Sequence, residues 1–330
     1  MSLRGGLARR GNLKDSCTDF VITTCRLAAG RDPHGAFGTY YVPPTAGQDD
    51  SAQRKYMQKI TYDKTYFNPK DVLECGQIFR YEPFKEGYKV FSTDKACYVH
   101  INGNSTVVES DYPDYFYDFF DLGREYALVL EKIRGFNVPV ITRATEVAKG
   151  LRLLNQNAEE MLFSFIISQN NNIPRIKGII SRIAETVGEK RQFMGEEYYT
   201  FPSAARLAEK DAAFYKSLGA GYRDEFIVRT AQRVAAEGLE RLYSLDAPTL
   251  KKELLTYHGV GPKVADCVSL FGFKKAASFP VDTWVEKIYR EDFNGTLKNR
   301  EKINAYFTSL FGEYSGYVQQ YLFYCKRENL

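Results

Sequence analysis

Lys263 stands two residues past a Gly-Val-Gly turn, in Leu255-Thr256-Tyr257-His258-Gly259-Val260-Gly261-Pro262-Lys263-Val264-Ala265-Asp266-Cys267. A primary amine in that position can do covalent chemistry. At a helix N-terminus the dipole disfavours the ammonium form, and partial burial pushes the same way, so the lysine can attack an electrophilic carbon as a neutral amine. The plainer alternative is a solvated surface charge, which describes most of the 45 lysines and arginines. Asp282, in Phe279-Pro280-Val281-Asp282-Thr283-Trp284, follows a short apolar run and precedes a helical period. It can cap that helix, and it can also stabilise a developing oxocarbenium ion and help deprotonate Lys263. The two roles are compatible, because a capping carboxylate is held rigidly. Cys267 follows Lys263 by four residues and shares its helical face.

The turn carries a second chemistry. Gly259 and Gly261 let the backbone of His258-Gly259-Val260-Gly261-Pro262 turn tightly and approach a partner, and Pro262 presets the next helical turn. Free N–H groups at that helix start then face outward, where a phosphate can sit without any side chain. A simple αα-turn is the bland reading. Two helices, the paired glycines, the lysine and an apolar helix together favour a phosphate-binding hairpin, which holds nucleic-acid backbone without reading sequence.

The elements that must position these residues fall into three stretches. Residues 1–56 hold Gly5-Gly6, Arg9-Arg10-Gly11, Pro43-Pro44 and Asp49-Asp50-Ser51 with no sustained period. They read as a tail, with Met57 as a candidate true start; acidic residues and weak amphipathicity argue against a targeting peptide. From about 60 to 110 the pattern is β, with runs at Gln77–Tyr81, Lys89–Ser92 and Ala96–Ile101 and an Asn102-Gly103 hairpin signal. After about 115 the period is helical. Helices are expected near 123–134, 143–151, 157–168, 174–187, 203–217, 223–237, 248–257, 263–273, 283–290, 299–311 and 316–326. Ser203, Asp211 and Asp246 suit N-caps, Pro248 a first turn, and Gly219 and Gly238 helix ends. The expected class is α+β: an antiparallel β domain over 57–140, then a helical region of two subdomains over 141–330.

Composition narrows the partners. A net charge of +4 and a pI near 8.5 permit nucleic acid without demanding it. The six cysteines (Cys17, Cys25, Cys75, Cys97, Cys267, Cys325) show no CxxC and no metal-ligand spacing, which argues against zinc, a cysteine-ligated iron–sulfur cluster or a secreted disulfide framework. No apolar stretch is long enough to span a bilayer and no signal peptide precedes a cleavage site. The expectation is an intracellular monomer with no metal, in cytoplasm or nucleoid if prokaryotic and nucleus if eukaryotic.

Taken together, Gly259-Val260-Gly261-Pro262-Lys263, Val264–Cys267 and Pro280-Val281-Asp282 resemble the helix-hairpin-helix glycosylase superfamily and, within it, the 8-oxoguanine DNA glycosylase/AP lyase family. The resemblance runs from about Asp71 to the C-terminus. It implies a bifunctional enzyme that excises 8-oxoguanine from duplex DNA by attack of Lys263 at C1′, aided by Asp282, and then nicks the strand by β-elimination. It implies no redox or nucleotide cofactor and is compatible with a monovalent cation held by hairpin carbonyls. His258, Gly259, Val260 and Gly261 would hold DNA backbone.

The same resemblance assigns further residues. Leu162–Arg175 is similar to the family's asparagine-rich helix end, which implies that Asn170 fills the gap left by an extruded base and Arg175 reads the orphan cytosine. Leu218–Arg223 is similar to the wedge loop, so Tyr222 would enter the base stack and Arg223 would also contact the orphan base; as bare residues they read as core and as a solvated cation. Gly76 matches the glycine whose carbonyl accepts the N7 hydrogen of 8-oxoguanine, a hydrogen guanine lacks. Gln319 and Phe323, at i and i+4, match the residues that bond the base edge and stack on its ring, opposite Cys267; as a bare pattern they read as ordinary packing.

Two departures stand out: Trp284 where the family commonly has a histidine that helps hold phosphate, and Lys326 where it often has an acid. The two are expected to pack together. The rivals are another glycosylase of the superfamily with a different lesion, and a non-catalytic duplex-binding module. An alkylpurine enzyme usually lacks the hairpin lysine, and an oxidised-pyrimidine enzyme usually carries a C-terminal cysteine cluster.

Overall fold

A computed structural model describes residues 57–330, all of which fall in one compact unit. The tail expected over residues 1–56 lies outside the described residues. The chain begins with β1 (Gln58–Asp63), α1 (Pro69–Leu73), β2 (Tyr81–Phe84), β3 (Gly87–Ser92), β4 (Lys95–Asn102) and β5 (Ser105–Ser110). The five strands form one antiparallel sheet in the order β1-β5-β4-β3-β2. The period of two puts Val90, Cys97, Val99 and Val108 on one face, where they bury against Val72, Leu73 and Phe116. The β4–β5 register pairs Asn102 with Ser105, so Gly103 and Asn104 are the central turn residues, and only Gly103 has positive φ, as a type II′ turn requires.

The strand expected at Gln77–Tyr81 is corrected: β2 starts only at Tyr81. Gly76, at φ 88, turns the chain out of the extended region. The buried Gln77 amide then donates to the Val72 and Arg152 carbonyls at 3.0 and 2.7 Å and accepts from Leu154 N at 2.9 Å. Those side-chain bonds hold the segment as an irregular strap between sheet and helices.

The helices that follow are α2 (Pro113–Phe119), α3 (Tyr126–Arg134), α4 (Pro139–Val147), α5 (Ala158–Ser168) and α6 (Ile173–Val187). A hairpin of β6 (Lys190–Phe193) and β7 (Glu196–Tyr199) comes next, then α7 (Ala204–Ala208), α8 (Ala212–Ser217) and α9 (Asp224–Glu237). The chain ends with α10 (Ala247–Leu254), α11 (Pro262–Phe271), α12 (Thr283–Glu291), α13 (Arg300–Phe311) and α14 (Ser315–Glu328). Their shared core is built on α5, which is buried along almost its whole length. The observed class is therefore α+β.

Several expected elements shift. α4 lies earlier than 143–151 because Pro139 takes its first turn. The helix expected over 203–217 is two, because the Asp211 carboxylate accepts from Phe214 N at 2.8 Å and starts α8 afresh. The β6–β7 hairpin was hidden by its charged faces and by a Met194-Gly195 turn, both residues having positive φ. Its Phe193 packs on Ala96 and Tyr98 of the sheet.

Candidate active site

Two helix starts frame the site. α10 and α11 form the expected hairpin. Gly259 adopts φ 79, and a Cβ there would run into the Phe226 ring, whereas a Cβ on Gly261 would meet nothing within 4 Å. Gly261 caps α11 without a side chain, leaving the first amides of the helix unpaired by any side-chain cap. α12 begins differently. Asp282 is its N-cap and accepts from Val285 N at 3.0 Å through Oδ1.

Lys263, in the first turn of α11, and Asp282 line one pocket with Gly76, Phe165, Cys267, Phe271, Pro280, Gln319, Gln320 and Phe323. All six residues expected to form the catalytic pair and the base pocket are thus placed together. Lys263 is half-buried, with Nζ 5.0 Å from the centre of the Phe165 ring. Phe165 stacks on Phe271 at 5.7 Å, so the pocket floor is aromatic. Burial pushes the Cys267 thiol up to about 11, even though the Lys263 ammonium beside it pulls the other way. Cys267 is therefore a neutral wall, not a thiolate nucleophile.

The pocket encloses only about 40 Å³. That is far below the ~300 Å³ at the small end of ligand sites, so the walls as they stand leave no room for a purine-sized group. Gly76 is held where it is by its neighbours. The carbonyls of Glu74, Cys75 and Gln77 accept from Arg327, Gln320 and Gln156 respectively. Gln320 and Arg327 escaped sequence reading, as did Phe165 and Phe271, because glutamine, arginine and phenylalanine inside helical runs carry no local mark of a pocket. Behind the site, Asn304 donates to the Phe279 carbonyl at 2.7 Å and to Asp266 at 3.0 Å, tying the approach to Asp282 to the hairpin helix.

A second group of residues faces outward. Asn170 is exposed at φ 46, Arg175 is exposed, and Tyr222 is 54% exposed. Asn171 and Asn172 stop α5 and start α6: Asn171 bonds the Ile167 carbonyl at 3.3 Å, and Asn172 caps Arg175 N at 3.0 Å. Tyr222, Phe226 and His258 form a chain of edge contacts, 5.9 and 5.1 Å between ring centres, joining the wedge loop to the hairpin. Arg223 is turned inward in this state. It is buried, and its guanidinium donates to the Gln169, Asn170 and Ala220 carbonyls.

Gln169, which sequence reading passed over, links these loops. Its amide donates to the Gly259 carbonyl at 2.8 Å, while its own carbonyl accepts from Arg223. The His258 carbonyl accepts from Thr230 at 2.8 Å. The expected packing of Trp284 on Lys326 is corrected. Lys326 pairs with Asp292 and Glu291 at 2.8 and 3.0 Å, and the Trp284 ring instead has Lys287 Nζ at 5.8 Å. Two acids within reach outcompete one ring for an ammonium. Among the described residues no group of three or more His, Cys, Asp or Glu could hold a metal, and no helix is long and apolar enough to cross a membrane.

A sheet beside a helical body, with a glycine hairpin leading into a lysine–aspartate pocket, defines a helix-hairpin-helix DNA glycosylase. The comparisons agree on the branch. Residues 59–162 match the family model for the 8-oxoguanine DNA glycosylase N-terminal domain. A probable N-glycosylase/DNA lyase of Methanothermobacter thermautotrophicus is 31% identical over 232 residues, covering 64% of this chain and 72% of its own. The N-glycosylase/DNA lyase of Saccharomyces cerevisiae is 27% identical over 80% of this chain and 85% of its own. The 8-oxoguanine glycosylase/lyase of Clostridium acetobutylicum, solved with duplex DNA carrying cytosine opposite 8-oxoguanine, is 33% identical with a TM-score of 0.77, over 83% of this chain and 98% of its own. The chain belongs to the 8-oxoguanine DNA glycosylase/AP lyase family.

Proposed function

We propose that this chain excises 8-oxoguanine from double-stranded DNA and then nicks the strand, as a bifunctional DNA glycosylase/AP lyase in base excision repair. The observation that carries the residue assignment is the convergence of Lys263 and Asp282, from two adjoining helix starts, on one aromatic-floored pocket. Lys263 Nζ, as a free amine, bonds to C1′ while the bond from C1′ to the base breaks. The base leaves with that electron pair and takes up a proton. Asp282 stabilises the positive charge developing on the sugar and accepts the proton from Nζ. Sugar-ring opening yields a protonated imine, and loss of a C2′ proton expels the 3′ phosphate, cutting the strand 3′ to the lesion.

The outward residues serve the duplex. The hairpin from His258 to Gly261 grips backbone, Tyr222 enters the stack, Asn170 fills the vacated space, and Arg175 meets the orphan base. Arg223 joins Arg175 only after releasing its loop carbonyls. In the pocket, Gly76, Gln319 and Phe323 receive the base against Cys267. One chain supplies the whole site, and the enzyme works wherever the cell keeps its DNA. The chemistry balances without a cofactor; a monovalent cation at the hairpin would share its carbonyls with Thr230 and Gln169.

Borohydride trapping tests the reading. Incubation with an 8-oxoguanine·cytosine duplex should give a covalent adduct that disappears in Lys263→Gln. No adduct with the native chain, or an undiminished one in the variant, rejects it.

A further inference from the structure

Gln319, Phe323 and Arg327 repeat at i, i+4 and i+8 on α14, so the face that supplies two pocket walls continues to an arginine. The two polar ends of this stripe share an unusual property. Gln319 Oε1 and Arg327 Nη1 are both buried and both lack a hydrogen-bond partner. Leaving such atoms unpaired is costly unless a ligand completes them.

Arg327 is otherwise well held. Its Nε donates to Glu328 at 2.8 Å, its Nη2 to the Glu74 carbonyl, and its guanidinium lies 5.5 Å from the centre of the Phe323 ring. The remaining nitrogen, Nη1, is the atom that a Cβ on Gly76 would meet first, at 2.8 Å, ahead of Phe323 at 3.3 Å. An unpaired donor therefore sits where Gly76 and Phe323 meet, with an unpaired acceptor two turns away on the same helix face.

We infer that Arg327 is a specificity-determining residue that donates Nη1–H to the C8 carbonyl oxygen of the extruded base. This rests on the excision reaction proposed above. The polarity of the stripe sets the direction. The Gln319 oxygen requires N–H donors, which guanine carries on its pairing edge, and the far edge of the flat base then lies toward Arg327. An unoxidised guanine presents C–H at C8, whereas the oxidised base presents a carbonyl that a guanidinium can satisfy. A charge-assisted bond to a buried carbonyl is a strong discriminator because the base without it leaves the donor unpaired.

The test compares three duplexes, carrying 8-oxoguanine, 8-aminoguanine or a bare abasic site, under single turnover. Arg327→Met should slow release of 8-oxoguanine by about 10- to 100-fold. Release of 8-aminoguanine, which offers a donor at C8, should stay within about threefold, and abasic-site nicking should be unchanged. Arg327→Lys, which keeps a donor, should regain part of the preference, and it carries the same comparison if the methionine variant loses its thermal transition. Equal losses on both bases would reduce Arg327 to an anchor for the Glu74–Gly76 strap, and no loss on either would remove it from base recognition; both overturn the inference. Failure of the underlying reading is separate and visible, since native protein would then neither release 8-oxoguanine nor trap.

Discussion

α11 and α12 each bring a residue from their start, Lys263 and Asp282, to the lining of one pocket, yet they begin in opposite ways. α11 starts on Gly261 with no side-chain cap, and α12 starts on the Asp282 carboxylate. The uncapped start leaves the first amides of α11 without a side-chain partner and sets Lys263 in the first turn of that helix. The capped start converts an ordinary stabilising bond into an aiming device, because Oδ1 bonded to Val285 N fixes where the carboxylate points.

Removing the amine should break the contrast most completely. Lys263→Gln should lower 8-oxoguanine excision by roughly four orders of magnitude or more and abolish adduct formation, measured by single-turnover release and trapping. Asp282→Asn sharpens it, because asparagine still caps. Excision should fall about 100- to 1,000-fold while the melting temperature stays near native, whereas Asp282→Ala should cost a further ~1 kcal/mol of stability. If asparagine leaves excision intact, Asp282 is only a cap.

On the other helix start, Gly261→Ala should leave folding unchanged, because its Cβ meets nothing, yet weaken binding of undamaged duplex by about tenfold in a salt-titrated assay. Gly259→Ala should instead destabilise the fold by about 1–3 kcal/mol, from its φ of 79 and the Phe226 ring. The smallest effect concerns Asp266, behind the hairpin, where burial lifts the carboxyl to about 7 against the pull of Lys251. The folded chain then holds a proton that the unfolded chain releases near 4, so this stability is full below that pH and lost as pH rises toward 7. The melting temperature should fall by about a few degrees over that window, and Asp266→Asn should flatten the decline.

The positions of Lys263 and Asp282 at two helix starts were legible because each lies in a short, local pattern. A glycine turn before Lys263 and a cap before α12 each have a physical signature within a few residues, whereas Gln319 and Phe323, as a bare i, i+4 pair on α14, read as ordinary packing and only the resemblance set them at a base pocket. The long-range partners were not legible. Arg327 approaches Gly76 from the far end of the chain, Gln169 bonds a carbonyl ninety positions on, and Arg80 runs from the strap to Glu160 and the Tyr199 carbonyl. Nothing in the neighbourhood of a glutamine or arginine reveals which distant carbonyl it will meet. The same limit explains the strap at Gln77 and the hidden β6–β7 hairpin, where tertiary contacts overrode strand pattern in one case and supplied it in the other.

Gln169 links events that could have been separate. One amide grips the hairpin and one carbonyl accepts from the arginine behind Tyr222. A duplex that displaced Tyr222 would, on the roles proposed above, tug on the hairpin through these bonds, and a loosened hairpin would slacken Tyr222. On the roles proposed above, gripping and prying would then turn as a single gear and not as two separate motions.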